Sequence, residues 1–249
     1  MPKSLYPLDA EGKHLLEVAW KGHYKNLELK LNNKAFGRIE NRNELQDGRI
    51  FEIGHDKFLS VKLVKEMYMF LRLQILLNGR PVTGSMTHPL VRLREVFWLI
   101  VFIATFNLLL GVLGVISKAA FFASIGVGYW NVIYAGILAF LGILVKERKS
   151  MTAMIMVIGL MALDILSIIA VSVEYPDVNA TGPVTAKLLL MLFLFRGISA
   201  IRDFNKLEAE DEAVRKAEEE KRRQVTRSEI ITEDHNRFMP DDHSGYMPV

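Results

Sequence analysis

The sequence predicts an N-terminal all-β domain, a small antiparallel sandwich or open barrel, followed by an α-helical four-span transmembrane bundle and a charged C-terminal helix. Three patterns predict it. Before residue 80, apolar residues recur at every second position, the period of half-buried strands. Between Val96 and Ile201 lie apolar runs too long for ordinary core helices. From residue 206 to 224, acids precede bases by four residues, the spacing that supports a solvated helix.

The chain opens on residues 1–14, which show no such period and are expected to be flexible. Residues 15–88 form the expected β-domain. Leu27, Leu29 and Leu31 alternate with Glu28 and Lys30, and Met67, Met69, Leu71, Leu73, Ile75 and Leu77 hold alternate positions of one long strand. Turn signals punctuate these runs: Asn32–Asn33, Asp47–Gly48, Gly54–His55–Asp56 and Asn78–Gly79. Asn-Gly between apolar runs is a type I′ hairpin signal. Six or seven strands follow from this count. LELKLNNKAFG and LQILLNGRPVTG echo one another as strand, Asn turn and returning strand, through hairpin geometry or through duplication.

The membrane part covers residues 92–203, with spans at about 96–116, 122–145, 151–173 and 183–203. A span needs roughly 20 mostly apolar residues. Val96–Ile116 and Ala119–Val145 carry no charge, Met151–Val173 carries only Asp164, and the fourth run holds Lys187 and Arg196 around LLLMLFLF. Arg92, Arg94, Lys146, Arg148, Lys149, Arg202 and Lys206 fall on one side, against Lys118 and Lys187 on the other. The positive-inside rule therefore places both termini in the cytoplasm. The Asn179–Ala180–Thr181 sequon lies outside, close to two spans. Gly111, Gly114, Gly126, Gly128, Gly136 and Gly142 are expected to let helix backbones approach.

A carboxylate at mid-bilayer costs about 2.5–3.5 kcal/mol or more, so Asp164 should face the bundle and have a partner. Counting along the spans puts Asp164 and Arg196 at heights roughly 7–8 Å apart at 1.5 Å per residue. The expectation is an intramembrane polar cluster of Asp164, Arg196, Asn107 and Asn131, with Asp164–Arg196 as its charged pair. Such a cluster fixes helix register, or serves conduction or proton relay. A third option is a protonated Asp164 with Arg196 snorkelling to the cytoplasm.

Beyond the spans, residues 204–224 read as a charged cytoplasmic helix with acid-first pairs Asp211–Arg215, Glu212–Lys216, Glu218–Arg222 and Glu219–Arg223, and residues 225–249 as a disordered tail. The net charge of +3 does not point to nucleic acid, because the bases before residue 90 are interleaved with acids and form no stripe. Anionic lipid headgroups explain the excess as well. With no cysteine, disulfides, thiolate nucleophiles and Cys-ligated metals are excluded. His14, His23 and His55 read as isolated, Trp20 and Tyr24 as core or rim packing, and no catalytic residue, metal site or cofactor is expected. No apolar signal segment opens the chain.

LLNGRPVTGSMTHP followed by RLREVFW, the Asp in the third span and FRGISAIRDF after the fourth resemble bacterial inner-membrane proteins with a cytoplasmic β-domain before four spans. The resemblance covers about residues 15–205 and implies an architecture and a bacterial inner-membrane address, with no assigned activity. The β-domain alone resembles the sandwiches of Fas apoptosis inhibitory molecules. The expected function is non-enzymatic: anchoring, scaffolding or sensing, with the β-domain binding a cytoplasmic protein partner or ligand. The alternative is a small homo-oligomeric channel or transporter. The expected partners are the lipid bilayer, a second copy of the chain and a cytoplasmic protein bound through the β-domain, with no nucleic acid.

Overall fold

The computed structural model describes residues 1–9, 11–54, 56–66, 70–117, 128–174 and 181–237. The first part is two four-stranded antiparallel sheets. Strands β1 (Lys3–Pro7), β2 (Leu15–Lys21), β3 (Lys25–Leu31) and β4 (Lys34–Ile39) form one sheet in chain order. Strands β5 (Arg49–Glu52), β6 (Phe58–Glu66), β7 (Phe70–Leu77) and β8 (Arg80–Pro81) form the other. The period of two decides which faces are buried. Leu16, Val18, Leu27 and Leu29 point inward from the first sheet, and Leu59, Val61, Leu73 and Ile75 from the second, all in one shared core. Each such side chain contributes about 1.5–3 kcal/mol by leaving water.

Among the described residues there are thus eight strands, where six or seven were expected. β1 falls within the segment expected to be flexible, where it pairs with β2 from Lys3↔Ala19 to Pro7↔Leu15. Its alternation is too short to read alone, and only Tyr6 is buried. β7 pairs with β6 from Leu59↔Leu77 to Glu66↔Phe70. A short helix, α1 (Arg42–Asp47), stands between the sheets where only β structure was expected. Leu45 anchors it in the common core, and the Gly48 N–H donates to the Glu44 carbonyl at 3.0 Å, closing a helix end where Asp47–Gly48 had suggested a turn.

The two halves share a device. Asn32 and Asn33 both have positive φ, as do Asn78 and Gly79, so each pair makes the two-residue hairpin that type I′ turns favour. In each half the first Asn then reaches sideways. Asn32 Oδ1 accepts the Leu15 N–H at 2.9 Å, and Asn78 Oδ1 accepts the Phe58 N–H at 2.7 Å. Leu15 opens β2 and Phe58 opens β6, the second strands of their sheets.

Among the described residues four helices follow: α2 (Pro89–Ser117), α3 (Tyr129–Arg148), α4 (Met151–Glu174) and α5 (Thr181–Arg237). All four are long and apolar enough to cross a membrane, which marks a membrane protein. Between α3 and α4, Lys149 turns the chain in a left-handed conformation, and Ser150 Oγ accepts the Ala153 N–H at 3.2 Å as an N-cap. The helices share a second core, with Ile100, Leu138, Val157 and Leu194 as members. Two glycines set close approaches. A Cβ at Gly111 would lie 2.8 Å from Val132 Cγ2, and one at Gly197 2.7 Å from the Met154 sulfur.

By internal contacts the chain divides into Met1–Arg202 and Asp203–Val249. Within the second unit, Lys216 Nζ lies 2.7 Å from Glu212, and that hydrogen bond holds the Glu212 carboxyl below its usual range. The tail was expected to lose order at residue 225; the helix instead continues to Arg237. Lys118, Gly126, His55, Met67, Met69, Asn179 of the sequon and residues 238–249 lie outside the described residues.

Candidate functional site

Of the four residues expected to cluster, the structure brings together two. Asn107 on α2 spends its amide N–H₂ on the Ile103 carbonyl of its own helix, at 2.8 Å. Its oxygen accepts from Asn131 Nδ2 of α3 at 3.5 Å. Asn131 Oδ1 meanwhile accepts the Gly128 N–H at 3.3 Å, tying down the start of α3. One side chain therefore closes a helix end and joins two helices.

Asp164 and Arg196 do not form the expected pair; each has another partner. Asp164 Oδ2 on α4 accepts from Lys187 Nζ on α5. Lys187 lies six residues into α5 and Asp164 ten residues before the end of α4, a height difference of about 6 Å that the lysine stem covers. Arg196 stands nine residues further along, about 13.5 Å from Lys187. At that level a different carboxylate, Glu95 of α2, comes within 3.3 Å of Arg196 Nη2. Counting along the spans pairs Asp164 with Arg196 and gives no signal for Lys187 or Glu95 as partners.

Tyr134 lies near the Asp164–Lys187 pair. Its hydroxyl is buried without a hydrogen-bond partner among the described residues, within electrostatic reach of Asp164. Asn131 and Tyr134 are three residues apart on α3, hence on one face. A polar seam thus runs through the helices: Asn107, Asn131, Tyr134, Asp164 and Lys187.

A second set of charges, centred on Glu95, joins the β-sheets to the helices. Arg72 on β7 grips Glu95 with both ends of its guanidinium, Nη1 to Oε1 at 3.1 Å and Nη2 to Oε2 at 2.8 Å. Nη1 also donates to the Met86 carbonyl at 3.0 Å, in the segment linking β8 to α2. Glu95 thereby gathers Arg72 from a sheet and Arg196 from the last apolar helix, two side chains only 14% and 9% exposed. Two-pronged grips of this kind fix orientation as well as distance. Arg72 lies on the strand face opposite Leu71 and Leu73, where a charge carries no signal in the sequence.

The remaining readings resolve locally. Trp20 and Tyr24 are half-buried against the β core, with ring centroids 5.6 Å apart. His14, expected to be isolated, bonds Asp9 at 2.6 Å, and this bond holds the exposed Asp9 carboxyl below its usual range. No family model matches the chain, and no curated protein or solved structure matches it either.

Proposed function

We propose that this is a non-enzymatic membrane protein in which a cytoplasmic β-sandwich and a four-span bundle act as one mechanically joined body, serving to anchor a partner or report its binding. The four apolar helices cross the bilayer, and the excess of Lys and Arg on one side puts both termini in the cytoplasm. A bacterial inner membrane fits this architecture. The β-sandwich offers edges and loops to a cytoplasmic protein partner or ligand. The observation that carries the reading is Glu95. One carboxylate on the first span is held by Arg72 from the sandwich and Arg196 from the fourth span. A domain merely tethered by a linker has no need of such a joint.

The chain has no cysteine, so two introduced cysteines give clean spin labels. With Lys34→Cys on the sandwich and Glu147→Cys on the bundle, in lipid nanodiscs, the distance distribution is expected to be narrow. Adding Glu95→Ala is expected to broaden it. A distribution that is broad from the start, or unchanged by Glu95→Ala, would refute the joined body.

A further inference from the structure

We propose that His88 is an acid-responsive latch at the joint between the β-domain and the first apolar helix: neutral, it caps α2; protonated, it releases the first turn and loosens the joint. The geometry carries this. His88 is the residue before α2, and Pro89 supplies the first helical position, where its missing N–H is no loss. The Leu90 N–H donates to His88 Nδ1 at 3.2 Å. That is an N-cap bond made by an imidazole in place of the usual hydroxyl or carboxylate. It requires the neutral ring with its proton on Nε2. The His88 carbonyl accepts the Val91 and Arg92 N–H groups at 3.0 and 3.2 Å, so the whole first turn closes on this residue.

Protonation works against the turn in three ways. It converts the accepting Nδ1 into a donor facing the Leu90 N–H. It places a cation at the positive end of the helix dipole. It adds that cation near Arg92, one turn on. Among the described residues, the titratable and charged groups around the joint include Arg92 and Glu95 on α2, Arg72 on β7, Arg196 on α5, and Tyr24, whose hydroxyl meets the Met86 sulfur at 3.7 Å. Of these, the Arg92 charge bears on His88, and together with burial, the larger cause, it holds the imidazole below its ordinary value of 6.5.

The segment that His88 terminates has little polar reserve. The Ser85 and Thr87 hydroxyls are buried with no hydrogen-bond partner among the described residues. Above about pH 6.5 the ring is neutral whether or not it caps, and the cap contributes fully. As the pH falls below that value, the uncapped form takes up a proton that the capped form resists, so the closed joint loses stability. Below the lowered value in the capped state, the loss is complete. The latch deepens the joined-body reading by supplying its regulation; the cap itself can be tested apart from it.

The test is amide hydrogen exchange of the full chain in nanodiscs at about pH 7.5 and about pH 5.5, corrected for intrinsic rates. Protection of Leu90, Val91 and Arg92 is expected to fall roughly fivefold on acidification, the equivalent of about 1 kcal/mol for one cap. His88→Asn and His88→Ser cap without titrating, so either should keep its protection at both values. Wild-type protection that does not change, or an equal acid loss in a folded capping variant, would overturn the latch. The labelled pair described above, read at neutral pH, reports the joint alone. A narrow distribution with flat exchange would leave the joint standing and remove the latch.

Discussion

Asp164 and Lys187 neutralise one another between two apolar helices, and each side chain is still about a quarter exposed, at 27% and 25%. A pair of this kind gains little over an apolar couple of the same size, yet losing one partner strands the other charge. Asp164→Asn alone and Lys187→Met alone are each expected to destabilise the folded bundle by about 2–4 kcal/mol, less than for a fully covered pair. Asp164→Leu combined with Lys187→Met should return to within about 1 kcal/mol of the parent. Unfolding in mixed micelles measures all three. If the two single losses simply add in the double variant, the pair has no coupling. The polar seam was legible as a list of residue types, because an acid among apolar residues stands out. Its pairing was not. Partner choice follows from the heights at which helices begin, and α5 begins at Thr181, two residues earlier than expected.

The hairpins show the same division at the level of elements. Asn32–Asn33 and Asn78–Gly79 announced their turns, because few residues tolerate positive φ at two successive positions. The second role of each first Asn, bonding the opening residue of the neighbouring strand, depends on side-chain direction and could not be read in advance. Asn78→Gly keeps the backbone conformation and removes two side-chain bonds, the one accepted from the Phe58 N–H and the one donated to the Asp56 carbonyl at 3.2 Å. It is expected to cost about 1–2 kcal/mol, the net worth of an exposed pair of hydrogen bonds. Asn32→Gly, which removes the single bond to the Leu15 N–H, should cost about 1 kcal/mol, and the two should add in the double variant because they act in separate sheets. Thermal denaturation of the full chain in detergent, followed in the β-sheet amide band, checks both. An unchanged midpoint for Asn78→Gly would show that the side-chain bonds contribute nothing. Helix α1 escaped sequence reading for the opposite reason: six residues with one buried leucine carry too little period to distinguish helix from loop.

Across the whole molecule, the first 88 residues bury their apolar side chains in the usual way, and the helices do not. Phe102, Phe106, Ile116, Trp130 and Leu163 each stand more than half exposed along α2, α3 and α4. Faces of that size require an apolar surrounding. The chain is therefore expected to stay with the membrane pellet through an alkaline carbonate wash and to leave it only with detergent. Release by carbonate would remove the membrane reading and, with it, the argument from Asp164.

The Glu95 joint also has a history fixed by chain order. Arg72 emerges from the ribosome 23 residues before its acid, whereas Arg196 arrives 101 residues after it. Because chains fold from the N-terminus as they are made, the sheet can grip the nascent helix long before the last one exists. The final arginine then closes a contact already half built, so a chain interrupted before residue 196 would carry its β-domain in place and its fourth helix missing from the same carboxylate.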